Sequence, residues 1–333
     1  MSIKKNLKRP STKDLYEKLI QKDRIALSKA ITLVESQNSD HIVHATKLLD
    51  KCVSQSGNSI RIGITGTPGV GKSTFIEKIG LRFIEKGKRV AVLTIDPSSP
   101  KNQGSILGDK SRMDQLSHHP NAYVRSSPSR STLGGTTDKT RETIVLCEAA
   151  RYDVIIVETV GVGQSETEII DMTDLLLLLT LPGAGDEIQG IKRGIVEVAD
   201  IVVVNKIDKF KESVVKDTLN TFKFALHLKS EKPSHWSSIV RSCSAATEEG
   251  LDKIMEDVLD YFDLINENGF LLENRNRQTE NWLLKKIEQE GLKEIRKRLS
   301  LFPSLKEYQE NIHQKKISVQ RAAVDILNSI IRN

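Results

Sequence analysis

Gly66-Thr67-Pro68-Gly69-Val70-Gly71-Lys72-Ser73-Thr74 is the stretch that decides the fold. It fits G-x-x-x-x-G-K-[ST], and it lies between a short β-branched run at 61–65 and an amphipathic stretch at 73–86. A strand that feeds a glycine-rich turn opening a helix makes a phosphate cradle. Glycines let backbone N–H groups converge on anionic oxygens, and the helix N-terminus adds positive potential. In that pattern Lys72 reaches the β- and γ-phosphates and the Ser73 hydroxyl ligates Mg²⁺. A turn of the same composition that binds nothing is the bland alternative. The strand before it and the helix after it argue against that.

Working outward, apolar runs at 90–95, 154–157, 175–181, 201–205 and 238–243 alternate with amphipathic stretches at 137–150, 191–198, 211–226 and 251–266. This alternation predicts an α/β fold, a P-loop domain with a doubly wound, mainly parallel sheet. Several runs are apolar on both faces, as strands buried between helical layers are. Residues 12–52 read as helices alone, with Ser11 and Asp14 marking the first start, and 54–58 form a polar break. After about 268 the strands stop. Helices are predicted at 282–301 and 319–331, parted by Phe302 and Pro303. The expected division is an N-terminal helical extension at 1–58, a P-loop domain at 59–266 and a C-terminal helical arm at 267–333. The arm is too short for its own core and is expected to pack on the main domain or on a second copy. Connections at 97–131 and 161–174 exceed ordinary loop lengths, which points to function or to small extra elements.

Composition removes several classes. With 333 residues and 38% apolar side chains the chain can bury a full core, so neither a disordered chain nor a disulfide-stapled miniprotein fits. Cys52, Cys147 and Cys243 are scattered, which disfavours a zinc site or a disulfide framework and suits a reducing compartment. No apolar run approaches the roughly 20 residues of a membrane span. Net charge is +6, with +5 on residues 1–58, +4 on 266–333 and −3 between them. The basicity thus sits on the ends, interleaved with acids at helical spacing, and reads as solvated helix faces rather than a nucleic-acid surface. The expectation is a cytoplasmic protein with no nucleic-acid or membrane partner. The lysine-rich residues 1–13 read as a short lead-in, with a mitochondrial presequence as the alternative.

A second motif, Asn205-Lys206-Ile207-Asp208, closes the run at 201–205. An Asp208 carboxylate accepts from the guanine N1–H and exocyclic amine, donors that adenine lacks in that arrangement, so guanine is favoured. Ser244 and Ala245 end a later strand, where a backbone N–H caps the base; an ordinary strand end is the alternative. Glu158 and Gly161 follow the run at 154–157, with Glu158 a candidate metal-holding carboxylate and Gly161 a candidate γ-phosphate contact. Asp96 ends the run at 90–95. In open α/β sheets ligands sit at the C-terminal strand ends, so Asp96 and Glu158 are expected near the phosphates, with Asp109 a third carboxylate. A turn or cap role is the alternative for each. The glycine-rich stretches 161–166 and 182–192 have the composition of segments ordered by a γ-phosphate and released on hydrolysis.

Several blocks resemble one family: 24–35, 66–74, 94–99, 104–113, 158–166 and 182–186. They are similar to the methylmalonyl-CoA mutase-associated GTPases, also known as lysine/arginine/ornithine transport ATPases or kinases. Asp-Pro-Ser-Ser at 96–99 and Gly-Val-Gly-Gln-Ser-Glu at 161–166 are the most specific blocks. The resemblance implies a GTP-hydrolysing chaperone of an adenosylcobalamin-dependent acyl-CoA mutase. Such a protein gates cofactor delivery, protects the mutase and forms a homodimer through its helical arm, and its slow turnover is stimulated by the partner. It implies that Lys72 and Ser73 serve phosphates and Mg²⁺, that Asp96, Asp109 and Glu158 surround the metal, and that Asn205, Lys206 and Asp208 read the base of GTP or GDP. It implies further that Asp186 and Lys192 complete the hydrolytic site when the mutase docks. Gln103 and Asp138 depart from the family's pattern, in connections expected to meet the partner.

Three other readings stand beside this one. A nickel-delivering GTPase would want a Cys/His cluster, and the seven histidines include one adjacent pair, His118-His119. A kinase, the older transport name, would want an acceptor site. A non-enzymatic scaffold would not need Lys72, Ser73, Asp96 and Glu158 intact.

Overall fold

The computed structural model describes residues 11–96, 113–128, 135–159, 165–183, 193–227 and 232–332. They divide into two compact units, with the division of the chain between Asn276 and Arg277.

The first unit opens with three helices, α1 (Thr12–Ile20), α2 (Arg24–Glu35) and α3 (Ser39–Val53). The Ser11 side chain accepts from the Asp14 N–H while the Asp14 carboxylate accepts from the Ser11 N–H, a capping box that fixes where α1 begins. Asp23 and Asn38 cap the next two. Seven strands follow: β1 (Ile60–Gly66), β2 (Val90–Asp96), β3 (Ala122–Pro128), β4 (Val154–Thr159), β5 (Leu175–Thr180), β6 (Ile201–Val204) and β7 (Ile239–Ser242). They form one sheet in the order β3-β2-β4-β1-β5-β6-β7, with every pairing parallel. Crossovers carry α4 (Lys72–Glu85), α5 (Asp114–His118), α6 (Gly135–Ala149), α7 (Ser165–Ile170), α8 (Arg193–Val198) and α9 (Glu212–His227), and α10 (Leu251–Glu267) follows the last strand.

Each sheet face buries its own core, because successive strand residues point to opposite sides. One face sets Leu93, Ile155, Val157, Leu176 and Leu178 against Leu27, Ile31 and Leu48 of the N-terminal helices and Cys147 of α6. The other sets Ile62, Ile64, Ile156, Leu177 and Val203 against Phe75, Ile79 and Phe83 of α4 and Val258 and Phe262 of α10. The strands β4, β5 and β6 are buried along their whole length, hence their unbroken apolar sequences.

Six strands lie where the apolar runs place them. The seventh, β3, lies inside the long connection at 97–131, whose length alone predicts a small extra element. It pairs with β2 alone, at the sheet edge, and its sequence Ala-Tyr-Val-Arg-Ser-Ser-Pro turns polar after three residues, as edge strands do.

Polar groups close the N-terminal end of the sheet. The Asp174 side chain is fully buried beside Arg275, whose Nε and Nη2 donate to its two oxygens at 2.9 and 2.6 Å. The Arg61 N–H donates to Asp174 at 2.9 Å, while the Arg61 guanidinium holds Glu148 at 2.9 and 3.0 Å. Burial alone pushes the Glu148 carboxyl up. Arg61, together with hydrogen bonds from Ser59 and Gly57, brings it below the ordinary carboxylate value.

The second unit holds most of α11 (Phe270–Ser300), then α12 (Leu305–His313) and α13 (Val319–Arg332). Helix α11 starts at Phe270, well before residue 282, because every residue from 273 to 281, between Phe270-Leu271-Leu272 and Trp282, is polar and shows no apolar period. In this unit Arg298 donates to the Ile330 carbonyl at 2.8 Å, and Ala322 and Ile330 are buried. On α13 Val319 and Ile331 are 66% and 67% exposed, with Val324 and Leu327 partly so. Among the described residues no helix is long and apolar enough to cross a membrane.

Candidate nucleotide site

Strand β1 runs through the middle of the sheet and delivers Gly66 to its C-terminal edge. A Cβ at Gly66 would stand 2.3 Å from the Leu179 carbonyl oxygen, and one at Gly71, where φ is +95°, 2.8 Å from Asn205 Nδ2. Both positions therefore need glycine. Between them Val70 is fully buried, while Pro68 and Gly69 are raised into solvent. Gly71 begins α4 without any side-chain cap, so the first N–H groups of the helix face outward with no intrahelical partner. That is an anion site in waiting.

Lys72 is 8% exposed, unusual burial for a lysine. Its ammonium donates to the Gly66 and Thr67 carbonyls at 2.8 and 3.3 Å, which aims it across the mouth of the loop. Burial lowers its pKa, and the carboxylate of Glu158 works against that shift. Ser73 is half-buried in the first turn and Thr74 exposed.

Asn205 ties the site together. It is 1% exposed; its Nδ2 donates to the Val70 carbonyl at 2.9 Å, and its Oδ1 accepts from the Ala245 N–H at 3.0 Å and from Cys243 Sγ at 3.4 Å. One amide thus joins the phosphate loop to both segments read from the sequence as base contacts. Lys206 adopts the left-handed conformation, φ +63°, and its ammonium donates to the Gly69 carbonyl at 2.6 Å, so its stem lies along the loop. Asp208 stands exposed in a single 3₁₀ turn (Ile207–Lys209). Ser244 is fully buried and accepts from the Thr247 N–H at 3.2 Å. The Ala245 N–H is engaged by Asn205, and the neighbouring Ala246 is exposed.

Glu158 is 5% exposed on β4, in register with Ile64 of the phosphate-loop strand and Thr94 of β2. Asp96 ends β2 one residue beyond Ile95, the partner of Thr159. Its backbone is therefore at the same edge; its side chain lies outside the described residues. Asp109, Gly161, Asp186 and Lys192 also lie outside them. Among the described residues no group of three or more His, Cys, Asp and Glu side chains is placed to hold a metal ion.

Two contributors escaped the sequence reading. Thr218 of α9 accepts from the Gly183 N–H at 2.9 Å, anchoring the start of the stretch at 182–192. A hydroxyl on the buried face of an otherwise amphipathic helix was its available signal. Thr65 and Thr159 join hydroxyls at 3.1 Å between β1 and β4, where each reads as an ordinary strand residue.

A phosphate loop of this form on an all-parallel, doubly wound sheet, tied to an N-K-x-D segment, defines a P-loop nucleotide-binding protein of the GTPase type. The family described as methylmalonyl-CoA mutase-associated GTPase MeaB matches residues 27–299. GTPase ArgK of Escherichia coli is 45% identical over 278 residues, 84% of each chain. The mitochondrial methylmalonic aciduria type A homolog of Caenorhabditis elegans is 37% identical over 331 residues, 96% of this chain and 83% of its own. A crystal structure described as LAO/AO transport system kinase superposes with a TM-score of 0.75 at 34% identity, covering 97% of this chain and 98% of that one. The chain belongs to the methylmalonyl-CoA mutase-associated GTPase family.

Replacing Lys72 by methionine separates function from fold. The buried ammonium carries a desolvation cost in the free protein, so K72M is expected to fold with undiminished stability. The stabilisation free energy that GDP gives the wild type, of order RT ln([L]/Kd), should vanish, and with it the rise in melting temperature. Thermal unfolding with and without GDP checks this, and a retained GDP shift would contradict it.

Proposed function

We propose that this GTPase binds GTP at the Gly66–Thr74 loop, hydrolyses it slowly, and acts as the chaperone of an adenosylcobalamin-dependent acyl-CoA mutase. The observation that carries the nucleotide reading is Asn205, which holds the phosphate loop and the base-capping segment in one rigid site. Gly66, Thr67, Pro68, Gly69, Val70, Gly71 and Thr74 shape the phosphate subsite, with Lys72 neutralising charge. Lys206 lays its stem along the base, Asp208 reads its donors, and Ser244 and Ala245 fix the wall opposite.

Mg²⁺ fits the donors at the sheet edge, which are hard oxygens: the Ser73 hydroxyl, the Glu158 carboxylate and, by position, Asp96. Asp109 is proposed as a further carboxylate. When bound, the ion would neutralise charge developing on the phosphate oxygens. The protein's own part is positioning. Loop amides and Lys72 hold the phosphates in place, and Gly161 with the stretches 161–166 and 182–192 responds to the γ-phosphate. Asp186 and Lys192 are proposed to complete the hydrolytic arrangement on docking of the mutase.

The mutase partnership is supported by the family match and by the methylmalonic aciduria homologs among the relatives. We assign the C-terminal arm to a homodimer contact, supported by the apolar side chains that α13 leaves exposed. The test of the nucleotide reading is turnover by the purified protein with Mg²⁺, GTP against ATP. Slow hydrolysis confined to GTP is expected, and equal rates would overturn the guanine assignment. Transfer of phosphate to a protein acceptor instead of water would favour the kinase reading.

A further inference from the structure

Three residues that neither motif includes bridge the two halves of the site. Glu248 lies in the turn between β7 and α10, four residues after Ser244. Its carboxylate accepts from Lys78 Nζ at 2.7 Å and from Arg82 Nη1 at 2.9 Å, both on α4, the helix that begins with Lys72 and Ser73. Arg82 Nε also donates to Asp252 of α10 at 2.8 Å, so one largely buried guanidinium holds two carboxylates of the opposite segment. The ammonium and guanidinium keep the Glu248 carboxyl below its usual range.

The backbone shows that this turn is held in place. Glu248 has φ +68°, a left-handed conformation that a side chain other than glycine seldom adopts unless its surroundings fix it. Gly250 follows at φ +77°, where a Cβ would stand 2.5 Å from the Ser242 carbonyl oxygen. The Ser244 N–H donates to the Glu249 carbonyl at 3.0 Å, and the Ser244 hydroxyl accepts from the Thr247 N–H at 3.2 Å. The base-capping segment and Glu248 therefore move as one piece.

We propose that Glu248, gripped by Lys78 and Arg82, is a positioning residue for base selectivity. Asn205 is the inner tie between phosphate loop and base wall. The Glu248 bridge is the outer tie, and together they set the distance and tilt between the helix that takes the phosphates and the backbone that faces the base. A wall free to tilt still accommodates a purine but loses the alignment that separates a guanine carbonyl from an adenine amine. This rests on the guanine reading above.

Calorimetric titration of the full-length protein with GDP and with ADP, both with Mg²⁺, tests the proposal. Glu248→Gln keeps the shape and removes the charge of a solvent-facing side chain. It is expected to lower GDP affinity about fivefold, the scale of a partly exposed ion-pair network, with ADP affinity changed less than twofold. Glu248→Asp should recover at least half of the lost preference. If E248Q lowers the melting temperature yet keeps the wild-type ratio of GDP to ADP affinity, the bridge only fastens α10 to α4 and the proposal falls alone. A wild type that binds GDP and ADP equally removes the base reading and this inference with it.

Discussion

Asp208→Asn is expected to move the base preference from guanine to xanthine. Asp208 stands exposed in the middle of a 3₁₀ turn that Lys206 precedes, and its two carboxylate oxygens are acceptors only. In the proposed contact, guanine presents N1–H and an exocyclic amine, two donors side by side, one for each oxygen. An asparagine turns one acceptor into a donor, which meets the guanine amine donor to donor. Xanthine carries a carbonyl there and restores the pair. Charge-assisted hydrogen bonds are worth about 1.5–3 kcal/mol each, so losing the pair should weaken GTP binding about 100-fold or more. Competition binding with GTP and xanthosine triphosphate checks this. A D208N variant that keeps GTP affinity within threefold would show that the base is read elsewhere.

The second large effect concerns stability and lies at the opposite sheet edge. Asp174→Ala leaves the Arg275 guanidinium without its bidentate partner and the Arg61 N–H without its acceptor, in a place where the carboxylate is wholly buried. Breaking one side of a buried pair typically costs about 3–5 kcal/mol, because the remaining charge stays desolvated. Urea unfolding should show the loss as a lower midpoint at unchanged slope. A change below about 1 kcal/mol would mean that water or another side chain takes over. Glu148 gives the same network a pH dependence. Its native pKa lies below the ordinary value of 4.5, so its contribution is complete above that pH and is lost as pH falls through the depressed value.

The central strands and the phosphate loop were legible because burial on both faces forces uninterrupted apolar runs and because the turn at Gly66 and Gly71 excludes a Cβ. Strand β3 was not, since an edge strand needs few apolar residues. The start of α11 was not, since the polar run at 273–281 parts Phe270-Leu271-Leu272 from the apolar positions that begin at Trp282. In the site, residue types mark Lys72, Asn205 and Asp208 as candidates, whereas who bonds to whom does not follow from them. The capture of the Ala245 N–H by Asn205 and the grip of Lys78 and Arg82 on Glu248 join segments more than 35 residues apart. No local pattern records such a pairing. Of the carboxylates proposed for the metal and for hydrolysis, Glu158 is placed by its strand register, and Asp109 and Asp186 lie outside the described residues.

We propose that a guanine-nucleotide switch on this chain answers to a mutase. The direct measurement is the GTP hydrolysis rate of the purified protein with Mg²⁺, alone and with an adenosylcobalamin-dependent acyl-CoA mutase from the same source. A slow basal rate that rises at least several-fold on adding the mutase is expected, with no such rise for ATP. A GTP rate that stays the same across a saturating range of mutase would contradict the partnership while leaving the GTPase in place.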